Sequence, residues 1–292
     1  MSNNIHNAVC TSDFNLRYTI ESAQPLTFYS DFDGKGTLEF PYGTSLVRIT
    51  SFGRTSSSVL KIEKVAGDTK FSISDMKNLF RLNDDMKSIY KQIASDEFLS
   101  NAISKYRGMR LTLNDPWITT LSFIVSQFNN IRRIRLIIKR MIERFGEDIT
   151  DGGKVIGKSF PDIESIAHAD VSEIAKCGAG FRSDYIKRSA QFCLENLDLY
   201  KLRGKSYATI KEQLMELRGV GDKVADCIAL MGYGKLEAFP IDTWIKRTVE
   251  SIYFNKRRQT IKEIHKFAEE RWGRMAGYAQ QYLYWHGMHY LR

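Results

Sequence analysis

The hydrophobic pattern of this chain changes period once. Up to about residue 75, short runs of β-branched and aromatic residues alternate with turn signals. From Ser74 onward apolar residues recur at helical spacing. The early runs fall near 15–20, 37–40, 45–52, 57–65 and 70–73. Turns such as Asp33-Gly34-Lys35-Gly36 and Ala66-Gly67-Asp68 separate them, and their simplest assembly is an antiparallel sheet. A helix is expected after Asn83-Asp84-Asp85. Another is expected at Asp115-Pro116, where a capping carboxylate precedes a proline at the first helical position. Residues 131–146 carry an apolar stripe at 131, 134, 138, 141 and 145. Further helices are expected over 161–167, 171–177, 183–196, 207–217, 222–231, 243–253, 261–271 and 278–290, with 152–158 as a loop. The fold class is therefore α+β, with an antiparallel β domain over 1–75 and an all-α domain over 76–292.

Charge narrows the partner. Forty-three Lys and Arg against 34 Asp and Glu leave a net charge of +9, which favours a polyanion whose counterions are released on binding. The helix at 131–146 concentrates this excess, with Arg132, Arg133, Arg135, Lys139, Arg140 and Arg144 against Glu143. Either a phosphate-facing surface or an ordinary solvated face accounts for it. Cys10, Cys177, Cys193 and Cys227 have no zinc or iron–sulfur spacing, and their sparseness fits a reducing compartment. The polar start, MSNNIHNAVC, is no signal peptide, and no apolar run approaches the length of a membrane span. An intracellular protein, monomeric by default, is expected.

The most informative segment is Leu217-Arg218-Gly219-Val220-Gly221-Asp222-Lys223-Val224-Ala225. One helix ends and another begins around two glycines that bracket one apolar residue. Glycine adopts positive φ and lets another backbone approach. The amides that open the second helix lack internal partners. Such a turn holds a DNA phosphate without reading sequence, with Val220 plugging the turn.

Leu217–Met231 together with Ala238-Phe239-Pro240-Ile241-Asp242 resembles the helix–hairpin–helix DNA glycosylases, most closely the 8-oxoguanine DNA glycosylases. That family carries a lysine just inside the helix after the hairpin and an aspartate about twenty residues on. Here Lys223 and Asp242 are nineteen positions apart. The resemblance implies a two-part helical domain with DNA lying across its cleft. It also implies excision of an oxidised purine from double-stranded DNA. Breaking the N-glycosidic bond develops positive charge on the deoxyribose, which the Asp242 carboxylate stabilises. The Lys223 amine captures C1′ as a Schiff base, and loss of the C2′ proton cleaves the strand by β-elimination. A lysine at its ordinary pKa of about 10.4 is a poor nucleophile, and a helix N-terminus favours the neutral amine.

Other matching positions acquire roles by resemblance. Cys227, Gln280 and Tyr284 line the base pocket. Gln280 reads the Watson–Crick edge, while Cys227 and Tyr284 pack on the two faces of the base. In Ser126-Gln127-Phe128-Asn129-Asn130-Ile131-Arg132-Arg133, the positions Asn129, Asn130 and Arg133 match the family's Asn-Asn-Asn-Ile-x-Arg segment and are assigned to DNA. Phe128 replaces the first, gap-filling Asn. It is grouped with the base pocket, either as a wedge or as a core residue. In Gly178-Ala179-Gly180-Phe181-Arg182, Phe181 is the wedge beside the orphaned base and Arg182 its hydrogen-bond donor. Gly219, Val220 and Gly221 grip the backbone. No dissociable cofactor is expected. The resemblance places a monovalent cation on the carbonyls of Met215, Leu217 and Val220. Two further departures stand out. Trp244 replaces a His that often follows the aspartate, and the family's Gly-Gln-x-Phe has only a loose counterpart at Ala23-Gln24-Pro25-Leu26-Thr27-Phe28. The alternatives are a glycosylase for alkylated bases, which usually lacks the lysine, and a helix–hairpin–helix module that only binds DNA.

Overall fold

The computed structural model describes residues 7–291. The start of the polar leading segment, on which the expectation of no signal peptide rests, lies outside them. The N-terminal part comprises β1 (Asn7–Thr11), α1 (Leu16–Glu21), α2 (Pro25–Tyr29), β2 (Asp31–Phe32), β3 (Thr37–Tyr42), β4 (Ser45–Arg54) and β5 (Ser57–Gly67). The strands form one antiparallel sheet in the order β1-β5-β4-β3-β2. Period-2 alternation sends Leu38, Phe40, Val47, Ile49, Leu60 and Ile62 to one buried face. There they pack with Leu16, Ile20 and Leu26, and with Met76 and Leu79 of α3 (Ile73–Leu79).

Two expected strands are corrected. Residues 16–21 are helical because Asn15 accepts from the Tyr18 amide and Leu16, Thr19 and Ile20 turn one face inward. Burial of that stripe outweighs the β propensity of its Tyr, Thr and Ile. Residues 70–72 belong to no strand, and of them Ser72 is extended. Ser72 and Asp75 then close a capping box that starts α3 at Ile73.

The helical part continues with α4 (Met86–Ile93), α5 (Glu97–Lys105), α6 (Pro116–Ser126) and α7 (Ile131–Phe145). Asp85, Asp115 and Asn130 cap α4, α6 and α7 through side-chain acceptors. The expected loop at 152–158 is instead a hairpin of β6 (Asp148–Asp151) and β7 (Lys154–Lys158). Gly152 and Gly153 both have positive φ, the geometry of a two-residue hairpin turn. Next come α8 (Ile163–His168), α9 (Val171–Ile174), a π turn over Ala175–Ala179, α10 (Arg182–Glu195), α11 (Tyr207–Leu214), α12 (Asp222–Tyr233), α13 (Thr243–Tyr253), α14 (Ile261–Trp272) and α15 (Ala276–Tyr290).

The two parts are sewn together by buried polar groups. Gln24 donates to the Arg110 carbonyl at 2.8 Å and accepts from the Thr112 amide at 2.7 Å. Gln281 of α15 donates to the Ser22 carbonyl at 2.7 Å. These bonds bring residues 22–28 to the helical part, where Ala23 and Phe28 help line a cavity.

Candidate active site

The hairpin forms as its sequence dictates. Leu217 and Val220 are buried, and the Val220 amide donates to the Leu217 carbonyl at 3.0 Å. Gly219 has φ +83, and a Cβ there would lie 2.4 Å from the Tyr185 ring, so only glycine fits. Gly221 caps α12 with no side-chain hydrogen bond, and the space around its Cα is open. The first amides of α12 therefore face a surface that an anion can reach.

Lys223, in the first turn of α12, is half-buried, with Nζ 5.3 Å from the centroid of the Phe123 ring. Cys227 follows one turn later and is buried. Burial pushes its thiol up to about 11, opposed by the neighbouring Lys223 and reinforced by the charges of Asp226 and Asp242. Asp242 caps α13, accepting from the Ile245 amide at 2.8 Å, so the cap fixes the carboxylate. Gln280 and Tyr284, one turn apart on α15, complete the wall.

Lys223, Cys227, Asp242, Gln280 and Tyr284 line a single cavity of about 430 Å³, within the range of small-molecule sites. Asn129 and Asn130 reach its rim. The Gln280 amide donates to the Pro240 carbonyl at 3.2 Å, which fixes its orientation, and its oxygen is buried with no partner. A buried acceptor without a donor costs about 1–3 kcal/mol.

Several lining residues escaped the sequence reading. Phe123 of α6, Met231 of α12 and Met288 of α15 face the cavity. Met231 lies two turns after Lys223 and Met288 two turns after Gln280, so helical spacing was the available signal for both, whereas no spacing links Phe123 to Lys223. Trp244 also lines it, with the Arg247 guanidinium 5.9 Å from its ring centroid. Its place two residues after Asp242 was the available signal. Ala23 has φ +60, a backbone that favours glycine. This is the position matched loosely to the glycine of the family's Gly-Gln-x-Phe.

Two assignments are corrected. Phe128 does not line the base cavity: it is 94% exposed, with φ +46, on the loop before α7. Its ring centroid lies 6.5 Å from that of Phe181, which is 55% exposed. Nor does Arg182 present a guanidinium to solvent. It is 4% exposed and donates to the carbonyls of Gln127, Phe128 and Ala179. Asn129 donates to the Val125 carbonyl and Asn130 caps α7, whereas Arg133 is exposed.

A second buried group stands behind Lys223. Asp226 is fully buried, 2.5 Å from the Tyr207 hydroxyl, 2.9 Å from Lys211 Nζ and 3.5 Å from His265 Nε2. Burial holds its carboxyl above the usual range, opposed by Tyr207 and Lys211. The carboxylate ties α11 to α12 and faces His265 of α14, whose imidazole is held below its ordinary pKa by burial. Among the described residues no cluster of three His, Cys, Asp or Glu side chains is placed to hold a metal ion. Nor is any helix long and apolar enough to cross a membrane.

The model of the HhH-GPD superfamily of base excision DNA repair proteins matches residues 121–274. A probable N-glycosylase/DNA lyase of Methanothermobacter thermautotrophicus is 30% identical over 254 residues, covering 80% of each chain. The solved structure of MBOgg1 in complex with a low affinity DNA ligand superposes with a TM-score of 0.87 at 33% identity, covering 100% of both chains. The 8-oxoguanine glycosylase/lyase of Clostridium acetobutylicum, bound to double-stranded DNA containing cytosine opposite 8-oxoG, gives 0.86 at 25% identity, covering 100% of this chain and 99% of its own.

Proposed function

The chain belongs to the HhH-GPD superfamily of base excision DNA repair proteins, and from that premise we propose that it is a bifunctional DNA glycosylase/AP lyase. Its substrate is an oxidised purine, 8-oxoguanine foremost, in double-stranded DNA. One observation carries the reading: an amine, a carboxylate and an amide oxygen lacking a donor share one base-sized cavity.

The hairpin at Gly219–Gly221 grips a phosphate, and the damaged nucleotide swings into the cavity. Gln280 reads the edge of the base, with Cys227 and Tyr284 against its faces. As the N-glycosidic bond breaks, its electron pair leaves with the base. The Asp242 carboxylate stabilises the positive charge left on the sugar. The Lys223 amine bonds to C1′, the ring opens, and a Schiff base results. Loss of a C2′ proton then expels the 3′ phosphate.

The same proposal includes a monomer acting intracellularly at DNA, in the nucleoid or nucleus. Residues 1–75 are its N-terminal unit and 76–292 its catalytic unit, with α3 crossing the boundary, since its Met76 and Leu79 pack on the sheet. The carbonyls of Met215, Leu217 and Val220 suit a monovalent cation. Leu217 O already accepts one hydrogen bond, from the Val220 amide, and keeps a second lone pair for the ion. Bound there, a cation would add positive charge beside the phosphate.

Borohydride trapping on duplex DNA carrying 8-oxoguanine tests the reading. The expected result is a covalent adduct that disappears in Lys223→Gln. Free base without an adduct would instead mark a glycosylase of the alkylated-base type. No product from any lesion tested would leave a DNA-binding module.

A further inference from the structure

We infer that Arg182 is a positioning residue that locks Phe128 and Phe181 into a two-ring wedge and does not read the base opposite the lesion. The inference rests on the glycosylase reading above.

A large apolar ring at 94% exposure on a left-handed backbone is held against two preferences at once. Left free, the ring would gain by folding onto apolar surface, and the backbone would gain by leaving positive φ. Arg182 opposes both. Its Nε donates to the Gln127 carbonyl at 2.7 Å, and Nη2 donates to Gln127 and, at 3.1 Å, to Phe128. Nη1 reaches Ala179 at 3.3 Å. The same guanidinium lies 4.4 Å from the Phe181 ring centroid. One buried side chain thus holds the two loops that carry the rings.

The pair is also braced from behind. The Phe181 ring meets Tyr185 edge-on at 5.8 Å, and Tyr185 packs where a Cβ on Gly219 would sit. A contiguous row of contacts therefore runs from the phosphate-gripping hairpin through Tyr185 to Phe181 and Phe128. Docking the hairpin on the backbone sets the height of the wedge.

Four of the five guanidinium N–H groups of Arg182 donate to loop carbonyls, and the single one left on Nη1 cannot make a two-point contact with a base edge. Two rings offer stacking, which every base accepts. Arg182 therefore acts on eversion of the damaged nucleotide, whatever base stands opposite.

The test combines stopped-flow 2-aminopurine fluorescence beside the lesion with single-turnover excision of 8-oxoguanine opposite C, A, G and T. In Arg182→Met and Arg182→Lys, eversion and excision should slow together by about tenfold or more. The factor should agree within about twofold for all four opposite bases. Loss confined to the cytosine pair would make Arg182 a reader of that base and overturn the inference. So would wild-type eversion in Arg182→Met. Phe128→Gly, which takes positive φ without strain, tests the ring even if the Arg182 variants fold poorly. Eversion at the wild-type rate there would remove the wedge. If the wild type itself excises nothing, the glycosylase reading fails first.

Discussion

The side-chain amide of Gln280 donates to the carbonyl of Pro240 at 3.2 Å, two residues before Asp242. One hydrogen bond thus joins the wall that would meet a base to the segment that carries the carboxylate. The partner oxygen of the same amide is buried and unsatisfied. In Gln280→Ala, loss of the Pro240 bond is offset by loss of the orphaned oxygen. Unfolding free energy should therefore stay within about 1 kcal/mol of wild type. Excision of 8-oxoguanine should fall about tenfold or more. Urea denaturation beside single-turnover kinetics checks both; stable binding and full activity without the amide would remove Gln280 from the site.

Asp242 has two jobs that substitution can separate. Asn is as good a helix cap as Asp, so Asp242→Asn should keep stability within a few tenths of a kcal/mol, whereas Asp242→Ala should lose about 1 kcal/mol. Both should slow excision by about a hundredfold or more, since neither supplies a charge. DNA affinity should remain near wild type. An active Asp242→Asn enzyme would reject the role proposed for the carboxylate.

Asp226 is predicted to matter for the fold. Its removal leaves Lys211 with only the exposed Asp222 carboxylate, at 3.2 Å, and leaves the Tyr207 hydroxyl without its acceptor, at a cost of about 1–3 kcal/mol. The double variant Asp226→Leu with Lys211→Met should recover much of that loss. Chemical denaturation of the two variants makes the comparison, and an equal loss in both would show that the ion pair is not the reason.

Cys227 gives a pH dependence with a definite sign. Its folded thiol titrates at about 11 against an ordinary 9.0. The folded state therefore holds this proton more tightly than the unfolded chain. Its contribution to stability is complete below about pH 9 and is lost as pH rises toward 11. Denaturant midpoints across that window should fall less steeply in Cys227→Ala than in wild type; identical slopes would contradict the assignment. Iodoacetamide at pH 8 should modify the exposed Cys10 far ahead of Cys227.

The two explanations left open for the basic helix are separable by salt. Arg144 is paired with Glu173, whereas Arg132, Arg133 and Lys139 are exposed on α7, and Arg132 lines the cavity together with Asn130. If they meet phosphates, Arg132→Gln with Lys139→Gln should flatten the plot of log affinity against log salt by up to about 2. An unchanged slope would identify a solvated face.

What the sequence determined by itself was local. Gly219, Val220 and Lys223 sit within a few residues of one another, and a positive-φ turn followed by a helix leaves few conformations. The caps at Asp115, Asn130 and Asp242 are likewise set by side chains that bond three residues ahead, so the helix starts were legible. The helix at Leu16–Glu21 was not, because its Tyr, Thr and Ile favour strands in isolation and only burial against the sheet reverses that preference.

The tertiary structure decided everything that depends on pairs distant in sequence. Gln281 meets Ser22 across 259 positions, and that bond helps carry Ala23 and Phe28 to the cavity. No periodicity records such a contact, because it is satisfied only after both parts have packed. Arg182 and Phe128 make the same point at 54 positions. A guanidinium binds whichever acceptors the fold presents, and here the carbonyls of the adjoining loop were nearer than any solvent-facing partner.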